Sequence, residues 1–396
     1  ELQDSLLGGE MPVLENLEGE LWELCGRHTA DISPSLMAFK VSKQLRIGIN
    51  DLLEQQSPHT SAASLSDLAE ALMQFVVHSQ SQVVPQAMRS VPDERNLIDA
   101  IGFIVLAMGK FGGREMNYAS DVDVIFLYDE EVAQSHFGQC SESELGRLFG
   151  DVAHRVLKTF NRFTPQGRLY EVDSRLRPGG QSGPIVTSLK AFSRYFSPGG
   201  PAVVWERQAL VKARVVAGGK ASADRVRDLI KRAIYGHNWK QVDIHEIYSM
   251  RLRMEETAEK NNLKRGPGGV VDIEFLVQVL QLIHGRKILN LQTPNTLLAL
   301  EVLADVGIIE NDTATSLRDA YGLLRKIEGR LRLLDVRLGH TFPEGHRERS
   351  QLANLLDRHD GQILADEVFQ TTRMVRRVFQ NIFSRAESYL AENEAD

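Results

Sequence analysis

The stretch that most constrains this chain runs from Ile101 to Asp129 and reads IGFIVLAMGKFGGREMNYASDVDVIFLYD. Ile101–Met108 is apolar without a break, which predicts a buried strand. A glycine-rich turn follows at Gly109-Lys110-Phe111-Gly112-Gly113. The chain then enters a second apolar segment, with a strand predicted over Val122–Tyr128 and two aspartates, Asp121 and Asp123, inside it. Carboxylates in an apolar strand are costly to bury unless their charge is compensated. That cost is the first pointer to function.

Residues two apart on a strand face the same way. Asp121 and Asp123 are therefore expected side by side, with Val122, Val124 and Phe126 turned to the other face. A bound cation relieves the repulsion of two adjacent carboxylates, and oxygen ligands of this kind suit Mg²⁺ held jointly with phosphates. The glycine turn offers backbone N–H groups that can approach phosphate oxygens. A third strand is predicted over Arg168–Leu176, with Glu171, Asp173, Arg175 and Arg177 on one face and Tyr170, Val172 and Leu176 on the other. On this reading Asp173 completes the acidic set, beside arginines that grip phosphate. Two other nucleotide motifs do not fit. Gly109-Lys110 is followed by Phe111 rather than Ser or Thr, and the glycines at 109, 112 and 113 miss the dinucleotide-binding spacing.

The rest of the chain reads as mostly helical. From Glu1 to about Arg95, Leu14, Leu17, Leu21 and Leu24 fall at helical spacing, as do Leu65, Leu68, Leu72 and Phe75. Helices are predicted over Leu145–Arg162, Val204–Val216, Val270–His284, Thr293–Val306, Thr313–Leu338 and Leu364–Leu390, with a Pro/Gly-rich loop at Pro178–Pro184. The expected fold class is α+β: residues 1–98 helical, 99–218 the mixed domain with the acids, and 219–396 a helical bundle. Lys212 and Arg214 read equally as a solvated helix face or as phosphate contacts. Asp272 and Glu274 read as acids favoured at a helix N-terminus, and His284 and His340 as structural.

Composition narrows the partners. The 396 residues include 46 basic and 53 acidic side chains, a net charge of −7 that argues against generic nucleic-acid binding. Cys25 and Cys140 lack metal-ligand spacing, and no signal peptide or membrane-length apolar run occurs, so a cytoplasmic setting without membrane association is expected. A first residue that is not methionine suggests an excised part of a longer protein.

The order of strand, Gly109-Lys110 turn, Ser120-Asp121-Val122-Asp123 and later Asp173 resembles the nucleotidyltransferase superfamily that includes DNA polymerase β. The longer blocks GKFGGREMNYASDVDVIF, YEVDSRLRPGGQSGPIVTS, WERQALVKARVV and GPGGVVDIEF resemble the glutamine synthetase adenylyltransferase/adenylyl-removing enzyme, in that family's order across about Ile101 to His284. The resemblance implies a polymerase-β-like core between helical regions. It also implies one of two homologous halves, the other absent from this chain. One half moves AMP from ATP to a tyrosine of glutamine synthetase and releases pyrophosphate; the other removes it by phosphorolysis to ADP. Tyr170-Glu171-Val172-Asp173 and Trp205-Glu206-Arg207-Gln208-Ala209-Leu210 look more like the adenylylating half.

By the same resemblance, Asp121, Asp123 and Asp173 would be the catalytic acids and would hold two Mg²⁺ ions. Asp173 would also take the proton of a tyrosine hydroxyl whose pKa is about 10. Gly109, Lys110, Gly112, Gly113 and Ser120 would embrace the triphosphate, and Arg175 and Arg177 would offset developing charge. The PII signalling protein and glutamine would be effectors. A reading of another class, a regulatory nucleotide-binding module without activity, stays open.

Overall fold

A computed structural model describes residues 13–25, 32–81, 97–138, 140–165, 167–334 and 339–394. Expectations for residues 1–12, 26–31, 82–96 and 335–338 lie outside the described residues. The chain forms two compact units. One comprises Glu1–Met116, Ser120–Ala202 and Lys212–Ala233; the other comprises Asn117–Ala119, Val203–Val211 and Ile234–Asp396.

The first unit opens with helices α1 (Leu14–Cys25), α2 (Ser33–Leu52), α3 (Pro58–Ser81) and the short α4 (Leu97–Ile101). Leu17 and Leu21 of α1 are buried as their spacing predicts, whereas Leu24 is exposed. Strand β1 (Phe103–Ala107) follows, then the four-residue helix α5 (Gly109–Gly112) and strand β2 (Val122–Tyr128). Next come α6 (Glu130–Phe137), α7 (Glu142–Asn161), β3 (Val172–Asp173), β4 (Val186–Ser188) and α8 (Leu189–Tyr195). Helix α9 (Val204–Ala209) belongs to the second unit; β5 (Arg214–Ala217) and most of α10 (Lys220–Tyr235) return to the first.

The sheet is small and mixed. β1 lies between β5 and β2, antiparallel to both, while β3 and β4 pair parallel with successive parts of β2. Every residue of β1 is buried, so an unbroken apolar run becomes a strand covered on both faces. Helix α7 lays Leu145, Phe149, Val152, Val156 and Phe160 into the core. It starts at a capping box in which Ser141 N donates to the Glu144 carboxylate at 2.8 Å and Ser141 Oγ accepts from Glu144 N at 3.3 Å. At the other end of β2, Asp129 caps α6 and accepts from Ser222 Oγ at 2.8 Å and Arg225 at 2.7 Å, which ties α10 down.

The second unit is helical: α11 (Gln241–Glu256), α12 (Val270–His284), α13 (Thr296–Asp305), α14 (Asn311–Leu334), α15 (His346–Leu355) and α16 (Gly361–Glu394). Helix α12 is apolar on nearly every side and sits centrally, touching α11, α13, α14 and α16. Among the described residues no helix is long and apolar enough to cross a membrane.

Two expected elements take another form. The strand expected over Arg168–Leu176 is ordered as a strand only at Val172–Asp173. Beyond it the chain turns, because Arg175 N and its guanidinium bond back to Asp173. The shared face expected for Glu171, Asp173, Arg175 and Arg177 therefore does not exist. The helix expected over Val204–Val216 ends at Ala209, passes through a 3-10 turn at Leu210–Lys212 and becomes β5. Backbone pairing of Arg214–Ala217 with β1 overrides the local helical pattern.

Candidate active site

Three acids lie at or beside the start of β2. Asp121 is exposed one residue before the strand, and Asp123 is half-buried on it. Asp123 pairs in register with Asp173 on the parallel strand β3, so the two side chains emerge on the same face of the sheet. Gly109 has φ +53°, and a Cβ there would stand 2.5 Å from the Asp123 carboxylate. Only glycine lets the turn after β1 come this close to the acid.

Arg175 grips one of the acids. Its Nε donates to both Asp173 oxygens at 2.9 Å and its Nη2 to Oδ2 at 2.5 Å. These bonds hold the Asp173 carboxyl below the usual carboxylate range despite partial burial. Asp123 and Asp121 add to the field that raises the Arg175 guanidinium. The Arg175 side chain is 68% exposed, which leaves it room to swing away.

Arg177 does something else. Its guanidinium donates to the carbonyls of Ser174 (2.8 Å), Gln181 (3.2 Å) and Gly183 (3.2 Å), closing the loop that follows β3. The glycine turn is likewise occupied in part. Gly112 N donates to Met108 O and Gly113 N to Gly109 O, so these two N–H groups complete the helical turn of α5. A Cβ on Gly112 would lie 1.8 Å from the Lys212 carbonyl oxygen, which makes that glycine a packing requirement. Lys110 and Ser120 are half-buried beside the turn and the acids, each with interactions inside the protein.

The turn is anchored from beneath by charges that the sequence did not reveal as structural. Lys212 is buried, and its Nζ donates to both oxygens of buried Glu115 at 2.9 and 2.8 Å. Arg214 donates to the Gly112 carbonyl at 3.1 Å and to Glu70 on α3 at 2.5 Å. Neither basic residue lies on a solvated helix face. Glu115 lies 97 positions from Lys212, and no local periodicity could have signalled the pair.

Among the described residues, no group of three or more His, Cys, Asp or Glu side chains is arranged to hold a metal ion as it stands. The donors nevertheless fit Mg²⁺ in kind, being carboxylate oxygens with two of the three in strand register. Both Asp173 oxygens are at present taken by Arg175.

The family described as glutamate-ammonia ligase adenylyltransferase matches residues 14–228, more than half of the chain. The chain belongs to this family. A second family, GlnD PII-uridylyltransferase, matches residues 244–383, within the helical unit.

Three similar proteins carry the name bifunctional glutamine synthetase adenylyltransferase/adenylyl-removing enzyme. The Chromobacterium violaceum protein is 31% identical over 359 residues, 89% of this chain and 39% of that protein. The Streptomyces coelicolor protein is 33% identical over 367 residues, 89% of this chain and 35% of its own length. The Idiomarina loihiensis protein is 33% identical over 298 residues, 74% of this chain and 31% of its own length. The chain thus spans between 31% and 39% of the length of these adenylyltransferase relatives.

Elsewhere in the helical unit the acids and histidines that the sequence singled out are held in polar or ring contacts. Asp272 is fully buried, 2.6 Å from Arg251 and 3.1 Å from Arg376, and accepts from Gly268 N at 2.7 Å. It anchors the bundle, a stronger role than the dipole reading of an acid at a helix start. Glu274 accepts from the Tyr321 hydroxyl at 3.1 Å, and His284 packs on Tyr389. His340 faces Glu328 at 2.7 Å.

Proposed function

We propose that this chain is an enzyme that moves AMP from ATP to a tyrosine of glutamine synthetase, releasing pyrophosphate. The observation that carries the reading is the strand register of Asp123 and Asp173, with Gly109 against one acid and Arg175 on the other. Membership of the adenylyltransferase family supports the chemistry, and the relatives' names support the protein substrate.

In this reading Asp121, Asp123 and Asp173 would hold Mg²⁺. Bound there, the ion would supply Lewis-acid stabilisation of the attacking and leaving oxygens. The protein's own groups do the rest. Lys110 and Ser120, flanking the acids, hold the triphosphate. Arg175, on a side chain free enough to swing, leaves Asp173 for the phosphates and offsets the charge that develops there. That movement also decides when Asp173 can act as a base. A carboxylate gripped by a guanidinium is a poor proton acceptor, so Asp173 receives the tyrosine proton only after Arg175 departs. Arg177 contributes by closing the loop that carries Arg175 just beyond Asp173.

The relatives' names include removal as well as addition, so direction is part of the proposal. The wording at Tyr170–Asp173 and Trp205–Leu210 favours addition. The PII signalling protein and glutamine are proposed as effectors, and the cytoplasm as the setting. Two mixtures test the direction. The chain is incubated with α-labelled ATP, Mg²⁺ and glutamine synthetase, and separately with adenylylated glutamine synthetase and phosphate. Label on glutamine synthetase in the first mixture is expected. ADP from the second with no labelling in the first reverses the direction, and silence in both leaves the non-catalytic binding module as the reading.

A further inference from the structure

Three residues between the glycine turn and the acids, Asn117–Ala119, pack with the helical unit although the chain on either side belongs to the other unit. Their seat is one face of α14. Gly329 gives Asn117 room: a Cβ at that position would meet the Asn117 carboxamide oxygen at 3.4 Å. Asn117 is 8% exposed, and its Oδ1 accepts from Tyr118 N at 2.8 Å. Three residues along α14, on the same face, Arg332 Nη1 donates to the Ala119 carbonyl. Ser120 and Asp121 follow directly in the chain.

Arg332 is itself held by a relay. Its Nη2 lies 3.1 Å from His340 Nε2, and His340 Nδ1 lies 2.7 Å from the Glu328 carboxylate. Glu328 is 1% exposed and takes a further bond from Arg325 at 2.5 Å. Arginine can only donate, so His340 Nε2 must accept and Nδ1 must carry the proton. The relay therefore requires a neutral ring.

We infer that Arg332 is a positioning residue for nucleotidyl transfer: through the Ala119 carbonyl it sets where Asp121 stands, and neutral His340 keeps Arg332 in place. The inference rests on the proposed function for its catalytic consequence and on the anchoring geometry for its structural one. Protonating His340 gives Nε2 a hydrogen, turns an acceptor into a donor facing a donor, and releases Arg332. Burial lowers the pKa of the ring below the ordinary histidine value, against Glu328, which faces it and favours the proton, and together with Lys264 and Arg332, which oppose it.

Arg332→Met and His340→Gln test this, with two readouts. Hydrogen exchange of the peptide spanning 117–123 is expected to quicken in Arg332→Met while that spanning 103–107 stays unchanged. In the labelling assay, kcat is expected to fall by about 10- to 100-fold, the scale of a catalytic group misplaced by about an ångström, with the melting temperature preserved. The fall in wild-type kcat at acid pH is expected to lose its His340 component in both variants. Unchanged exchange over 117–123 overturns the anchoring. Faster exchange with wild-type kcat and pH profile overturns its role in transfer. A wild-type chain that transfers nothing refutes the proposed function instead, and the exchange arm still decides the anchoring.

Discussion

Replacing Lys212 by Met tests whether the buried pair beneath the glycine turn is structural. The Lys212 and Glu115 side chains are 6% and 2% exposed, and both Glu115 oxygens accept from the ammonium. Methionine keeps much of the volume but removes the charge, leaving a carboxylate buried without its ammonium. Breaking such a pair from one side costs about 3–5 kcal/mol, against roughly 5–15 kcal/mol for the stability of a whole domain. Replacing both, Lys212→Met with Glu115→Leu, removes the stranded charge as well. The double variant should therefore be more stable than Lys212→Met alone, with a coupling near the upper end of about 0.5–3 kcal/mol.

Urea unfolding followed by tryptophan fluorescence measures these values. Trp22 packs against Phe75 and His78 in the first unit. With Trp205 and Trp239 changed to Phe, its signal reports that unit by itself. A Lys212→Met variant within about 0.5 kcal/mol of its parent, the range of an ordinary surface change, refutes the reasoning. So does a double variant that merely adds the two single losses.

Three further outcomes follow from the same geometry. Gly112→Ala drives a Cβ against the Lys212 and Ala107 carbonyls, and should cost at least about 1–3 kcal/mol in urea unfolding, the usual price of overpacking. Asp272→Asn removes the nearer of the two carboxylates paired with fully buried Arg251, leaving Glu255 at 3.3 Å, and should lower the stability of the helical unit by about 1–3 kcal/mol, read from its urea transition. Lys40 packs over the Tyr170 ring, and burial, aided by Arg168, lowers its pKa to about 8. The unfolded value is about 10.4, so the unfolded chain binds the extra proton between these values. Stability relative to Lys40→Met should then rise with pH from about 8 to 10.4; a constant difference in denaturation midpoint across that window contradicts it.

What the sequence disclosed depended on how local the signal was. The strand Val122–Tyr128 and the helix Val270–His284 match their expected limits, because each apolar pattern ends at a polar or glycine boundary. Asp121, Asp123 and Asp173 could be nominated because they are acids in or beside apolar strand segments, and Gly109 because it opens a glycine-rich turn. Arg177 and Gly112 could not be assigned their roles in the same way. One bonds to carbonyls several residues away across a loop, and the other is shaped by a backbone that returns a hundred residues later. Lys212, Arg214 and Arg332 were illegible for the same reason. Their partners Glu115, Glu70 and Ala119 are distant in sequence, and a charged residue in a helical pattern looks solvated until the tertiary contact is known.

The acids at the start of β2 and on β3 are proposed to perform nucleotidyl transfer. The most direct test is the transfer of label from α-labelled ATP to glutamine synthetase by the wild-type chain and by Asp121→Asn and Asp123→Asn, each first shown by circular dichroism to be folded. Label is expected in the wild type and lost in both variants; full labelling by either folded variant would contradict transfer by these acids.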